Sequence, residues 1–217
     1  MRGFVYVMVV VVAVTLIARA APLSEAELKN LLAAIRQNRT TRADFQEERV
    51  MRLMKKPILS SGAVWFQPAN KFRREVKGNS PSITVSDGGE LWIYYPNFKS
   101  AERYPLGKGS PLDATVAAIN SALNLENIET SFNIAATQTE NGYELQLVPR
   151  SAAMKRVFQK LDLEINNQFR VERTDMLLPN GDRIVTTYSN QTRAPVSASS
   201  FDFKPPLGTE VTTPLGQ

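Results

Sequence analysis

Ile83-Thr84-Val85-Ser86-Asp87-Gly88-Gly89-Glu90-Leu91-Trp92-Ile93-Tyr94-Tyr95-Pro96 joins two β-favouring runs through a turn that tolerates positive φ angles. The joint reads as a β-hairpin, and hairpins mean antiparallel pairing. The same signal recurs at Asn141-Gly142, between residues 132–138 and 142–148, and at Asn180-Gly181, between 169–177 and 182–189. Working outward, short β-favouring segments are expected at 42–53, 61–67, 71–77, 82–86, 90–95, 100–105 and 156–165 as well, with a last short one near 201–203. The total is eleven or twelve strands. Ile83/Val85, Tyr143/Leu145/Leu147 and Ile184/Thr186/Tyr188 alternate with polar residues, so each strand has one apolar and one polar face. That many one-sided strands must curl, into a barrel or into a half-barrel covered on its concave side.

Two helices are available as covers. Ser24 with Glu27 three residues on makes a capping box, Leu23 and Leu28 form a hydrophobic staple, and Leu28, Leu31, Leu32 and Ile35 fall on one stripe. In mid-chain, Ser110-Pro111-Leu112-Asp113 has the capping serine, N1 proline and first-turn acid of a helix start, followed by Leu112, Val116, Ile119 and Leu123 on one face. The fold class expected is α+β: an incomplete, strongly curved antiparallel β-barrel with a helical lid over an apolar cavity.

At the N-terminus, Arg2, the apolar run Phe4 to Ala18 and Ala18-Arg19-Ala20 read as a signal peptide cut after Ala20. Its fifteen apolar residues are fewer than the roughly 20 that span a bilayer. Residues 21–208 then form a single domain and 209–217 a loose tail. Removing residues 1–20 takes away two arginines and no acid, lowering the net charge from +5 to +3. So small an excess makes no nucleic-acid footprint, and the short clusters Lys55-Lys56 and Arg73-Arg74 read as solvated strand edges.

The inventory excludes much chemistry. There is no cysteine and no histidine among 217 residues, hence no disulfide, thiol nucleophile, lipid-modified cysteine, Ser-His-Asp triad or imidazole base. Asp87, Glu90 and Glu102 lie near one another in sequence, but acids beside hairpin turns are commonplace. Asp44, Glu47 and Glu48 have no calcium-loop spacing. No catalytic residue, metal or cofactor is expected.

Two longer strings carry a resemblance. Ser61-Gly-Ala-Val-Trp-Phe-Gln-Pro-Ala-Asn-Lys-Phe-Arg-Arg-Glu75 and the Ile83 to Pro96 hairpin resemble the outer-membrane lipoprotein carrier family, LolA-like proteins, as do Phe45-Gln46 and Phe201-Asp-Phe-Lys-Pro-Pro-Leu-Gly208. The resemblance covers essentially all of the chain after residue 20. It implies a periplasmic carrier that shields the acyl chains of lipoproteins. Its implied partners are acylated lipoprotein cargo, an inner-membrane lipoprotein-release ABC complex and an outer-membrane lipoprotein receptor, the carrier itself being a monomer. One departure stands out: Pro68 occupies the position of the family's inward arginine, which is tied to holding the lid closed, and Arg74 that of a usual tryptophan. A related carrier of another lipid or glycolipid, or a periplasmic regulatory domain that senses lipid or lipoprotein, is the alternative.

Burying acyl chain is worth about 0.8 kcal/mol per CH₂, roughly 12 kcal/mol for sixteen carbons. A carrier needs a wide apolar surface without tight complementarity. By parity and resemblance the cavity candidates are Val64, Phe66, Phe72, Leu91 and Ile93 from the strands, and Ile119 and Leu123 from the lid. Trp92 and Tyr94 then take the opposite face.

Overall fold

The computed structural model describes residues 21–67, 71–106 and 128–214. Helix α1 (Glu25–Gln37) opens at the expected capping box: Ser24 N donates to Glu27 Oε2 at 2.8 Å, and Glu27 N donates back to Ser24 Oγ at 3.4 Å. Its buried stripe is Leu31, Leu32 and Ile35.

Twelve strands form one sheet: β1 (Arg42–Val50), β2 (Ile58–Gln67), β3 (Lys71–Lys77), β4 (Ser82–Ser86), β5 (Glu90–Tyr95), β6 (Ser100–Pro105), β7 (Phe132–Thr139), β8 (Gly142–Pro149), β9 (Lys160–Asn166), β10 (Val171–Leu177), β11 (Arg183–Thr192) and β12 (Glu210–Thr212). The order across the sheet is β12-β6-β5-β4-β3-β2-β1-β11-β10-β9-β8-β7. Two meanders, β1 to β6 and β7 to β11, meet where β1 pairs antiparallel with β11, Phe45 lying opposite Tyr188. The sheet is open and curved, with β12 and β7 at its edges. The β7 edge receives an isolated bridge from Pro22 to Thr137, and Leu23 N donates to Ala136 O at 2.8 Å.

One face carries two apolar clusters. Beneath α1, the strands β7, β8 and β9 contribute Phe132, Leu145, Leu147, Leu161 and Leu163, joined by Phe158. In the other meander Ala43, Phe45, Val64, Phe66, Phe72 and Leu91 pack together. Strand β2 passes through the second cluster at Gly62, where a Cβ would sit 1.8 Å from the Glu75 carbonyl oxygen and 2.9 Å from the Phe45 ring. Only glycine lets the Phe45 ring lie across the strand there.

The opposite face of β3 to β5 is covered by the C-terminal segment. A 3-10 turn, Ala198–Phe201, buries Phe201, and Phe203 packs on Trp92 and Tyr94 at ring-centroid distances of 5.8 and 5.7 Å. This corrects the strand expected at 201–203. Phe201 and Phe203 are spent on packing against a sheet face, and Pro205-Pro206 has no N–H to give a ladder. The twelfth strand is instead Glu210–Thr212, which pairs parallel with β6 inside the stretch expected as a tail.

Three further differences are local. Strand β1 stops at Val50, because Met54 N donates to Met51 O and closes a turn, while β2 begins three residues earlier than expected so that Ile58 can face Arg49. Strand β9 starts at Lys160, because Ser151 caps a helical turn, Ala152–Lys155, by accepting from Met154 N at 3.1 Å. Arg73 and Arg74 are not at an edge: β3 lies between β2 and β4, and the two side chains leave it on opposite faces. The mid-chain helix expected around residues 110–123 lies outside the described residues.

Candidate functional site

Register turns the strand list into rows of side chains on the α1 side of the sheet. One row runs Phe66, Phe72, Ser86, Leu91, Tyr104 and the next Ala43, Val64, Arg74, Thr84, Ile93, Glu102. A third carries Glu47 into the other meander through Thr186, Thr174, Leu163 and Leu145. This face of the sheet is thus continuous, with an apolar half under α1 and a mixed half on β1 to β6.

Of the candidates, Val64, Phe66, Phe72 and Leu91 are buried in one cluster, and Ile93 is half-buried in the Val64 row. Trp92 and Tyr94 lie on the opposite face under Phe203. Ile119 and Leu123, like Pro68, lie outside the described residues.

Sequence reasoning missed the polar groups on this face. Arg74 Nη2 pairs with Glu47 Oε2 at 2.7 Å, and its guanidinium carbon stands 4.4 Å from the Phe45 ring centroid. The two side chains are 30% and 17% exposed. Arg74 shares parity with Phe72 and Val76, a signal that could have placed it inward. On β6, the Tyr104 hydroxyl donates to Glu102 Oε2 at 2.6 Å. Burial and that carboxylate push its pKa up to about 12, because ionisation would put a second negative charge beside Glu102. Burial likewise raises the pKa of Tyr188, against an opposing hydrogen bond with Thr174.

The acidic residues that lie close in sequence do different work. Asp87 Oδ1 accepts from Gly89 N and Glu90 N and holds the turn, whereas Glu90 pairs with Arg103 on the face opposite Glu102. Among the described residues no group of three acidic side chains is arranged to hold a metal.

Two hollows among the described residues bear on the two faces of the sheet. One, of about 40 Å³, lies between the end of α1 and β1, β10 and β11, lined by Ile35, Ala43, Phe66, Phe169, Val171 and Tyr188 among others. The larger, about 420 Å³, sits on the other face of β7 to β10, where Glu144, Asp162, Arg173 and Asp175 stand beside Pro22 and Ala135.

Comparison with known proteins gives the following. A family model described as "Outer membrane lipoprotein carrier protein LolA" matches residues 36–204. An outer-membrane lipoprotein carrier protein of Methylibium petroleiphilum is 27% identical over 186 residues, 85% of this chain and 86% of that one. One from Coxiella burnetii (strain CbuK_Q154) is 27% identical over 154 residues, 70% of each chain. A conserved protein of Thermus thermophilus, known from its crystal structure, superposes with a TM-score of 0.51 at 16% identity over 86% of this chain and 99% of that one, a likeness of fold.

Proposed function

Since the chain belongs to the outer membrane lipoprotein carrier family, LolA, whose model spans residues 36–204, we propose that it is a periplasmic carrier whose concave face shields the acyl chains of a lipoprotein between the inner and the outer membrane. The observation that carries the reading is the contiguous floor of Val64, Phe66, Phe72, Leu91 and half-buried Ile93 on one face of an open sheet. A site of this kind does no bond chemistry. Glu90 and Glu102 on opposite faces support a carrier rather than a carboxylate-paired hydrolase.

The proposed mechanism is a balance of burial. Acyl chains lie along the Phe66-Phe72-Leu91 row, each methylene contributing about 0.8 kcal/mol. The Glu47-Arg74 pair, already partly covered, keeps its remaining contact with water, because covering it completely would cost more in desolvation than the chain recovers. The polar strip limits how much of a chain the floor can cover and so keeps release possible. Loading by an inner-membrane ABC complex and unloading to an outer-membrane receptor complete the cycle, after removal of residues 1–20 on export.

A second reading, a carrier of another lipid or a glycolipid, is favoured by one observation: Arg74, Glu47, Glu102 and Tyr104 bring hydrogen-bonding groups to the acyl-facing side. The chain without residues 1–20 is expected to bind an apolar fluorescent probe that acylated peptide displaces and the unacylated peptide does not. Absence of probe binding at micromolar protein refutes the carrier reading, and displacement by glycolipid alone supports the second.

A further inference from the structure

Among the described residues the large exposed apolar side chains are not scattered. In the β1-β2 hairpin Leu53 is 99% exposed and Leu59 69%, with Val50, Met54 and Ile58 also open to solvent. Phe98, in the β5-β6 turn, is 79% exposed, and Leu207 is fully exposed just ahead of β12. Strand directions put these together: Arg49 faces Ile58, Tyr95 faces Ser100 and Glu210 faces Ser100, so the β1-β2 hairpin, the β5-β6 turn and the entry to β12 all lie at the same end of the sheet. Among the described residues the other end, with the turns at 87–89 and 140–141, has no large exposed apolar side chain.

Along the β1-β2 hairpin itself, where the apolar groups are densest, the charge is one-signed. From Arg49 to Leu59 there are four cations, Arg49, Arg52, Lys55 and Lys56, and no acid. The hairpin is also held in place. Arg52 N donates to Asp182 Oδ1 at 3.0 Å, Asn180 Nδ2 donates to Asp182 Oδ2 at 2.8 Å, and the Arg52 side chain lies against Gly181, whose φ of +84° admits no Cβ there. The tip from Leu53 to Lys56 projects from a fixed base and contributes nothing to either core.

Solvated apolar side chains bracketed by lysine and arginine, at the tip of a braced hairpin, match the interface of an anionic bilayer. Apolar groups enter the headgroup layer while long cationic side chains reach back to phosphate. A protein groove would need a shaped counterpart, but projecting side chains with flanking cations need only a soft, negatively charged surface. We propose that this end of the sheet is a membrane-docking rim, with Leu53 and Met54 inserted among the headgroups of an anionic membrane and Lys55 and Lys56 on its phosphates. The rim stands apart from the carrier reading, since docking requires nothing of the concave floor.

Vesicle flotation tests it, using the chain without residues 1–20 and vesicles of phosphatidylcholine alone or mixed with phosphatidylglycerol. The protein is expected to float with the mixed vesicles, more weakly with the neutral ones, and less as salt rises. Lys55→Glu with Lys56→Glu is expected to lower partitioning at least about thirty-fold, since each cation near an anionic surface is worth about fivefold. Leu53→Asp is expected to lower it about tenfold, the value of half-burying a leucine. Both variants alter solvated side chains, so the melting temperature and apolar-probe binding stay at wild-type values. No flotation, equal flotation with both vesicles, or flotation that the variants leave unchanged overturns the rim, including the case in which these side chains meet a protein instead. Flotation that persists when the wild type binds no apolar probe would refute the carrier reading and leave the rim standing.

Discussion

Replacing Arg74 by methionine tests how the concave face balances grip against release. The Arg74-Glu47 contact is 2.7 Å, with side chains 30% and 17% exposed. Exposed pairs contribute about 0.2–1 kcal/mol and the loss of one partner of a buried pair costs about 3–5 kcal/mol, so this partly covered pair belongs near 1–2 kcal/mol. Loss of the guanidinium over Phe45 adds about 0.5–1 kcal/mol. Arg74→Met alone is thus expected to destabilise the fold by about 2 kcal/mol, lowering the melting temperature by about 4–8 °C for a chain of this size. Adding Glu47→Gln removes the stranded charge and should recover at least half of that loss, which a double-mutant cycle in denaturant reads directly. The double variant also widens the apolar floor beneath a bound chain. About 1 kcal/mol of added contact should slow dissociation of an apolar probe about fivefold in stopped-flow. Strictly additive stabilities, together with an unchanged probe off-rate, would refute both the coupling and its role in limiting grip.

Two other expectations follow from the geometry. Tyr104 has its pKa raised from 10.0 to about 12, so the stabilisation that comes from keeping it neutral is complete below about pH 10 and is lost as pH climbs toward 12. Phenolate absorbance should show a late-titrating tyrosine that disappears in Tyr104→Phe and moves down in Glu102→Gln; if Glu102→Gln leaves it in place, the hydrogen bond is not its cause. Gly62→Ala, which forces a Cβ to within 1.8 Å of the Glu75 carbonyl oxygen, should cost about 3 kcal/mol in a denaturant melt, and a near-neutral result would mean that β2 and β3 separate more easily than their register implies.

Much of the fold was legible because its signals are local. The capping box at Ser24, the turns at Asp87-Gly88-Gly89, Asn141-Gly142 and Asn180-Gly181, and the alternation of Leu91 and Ile93 against Trp92 and Tyr94 each depend on residues a few positions apart. Where a local pattern had two outcomes, sequence reasoning chose wrongly. Phe201-Asp202-Phe203 alternates like a strand but packs its rings on Trp92 and Tyr94, and Arg73-Arg74 looked like an edge until β4 was found beside β3. That Val64, Phe66, Phe72 and Leu91 share one buried face was legible from parity and family resemblance together, whereas Glu47 and Arg74, twenty-seven residues apart, needed the intervening β2 register to meet.

What the sequence determined by itself was the kind of object: one-sided strands in number, braced by a capped helix, without histidine or cysteine, in a recognisable carrier family. Tertiary structure alone decided what covers each face and which end is which. It brought β11 back to β1, tucked the C-terminal segment over the outer face, put an ion pair on the inner one, and gathered Leu53, Phe98 and Leu207 at one rim. The physical reason is range: alternation and turn chemistry act over two to four residues, while sheet register and curvature join residues more than a hundred apart through hydrogen bonds that every backbone can make.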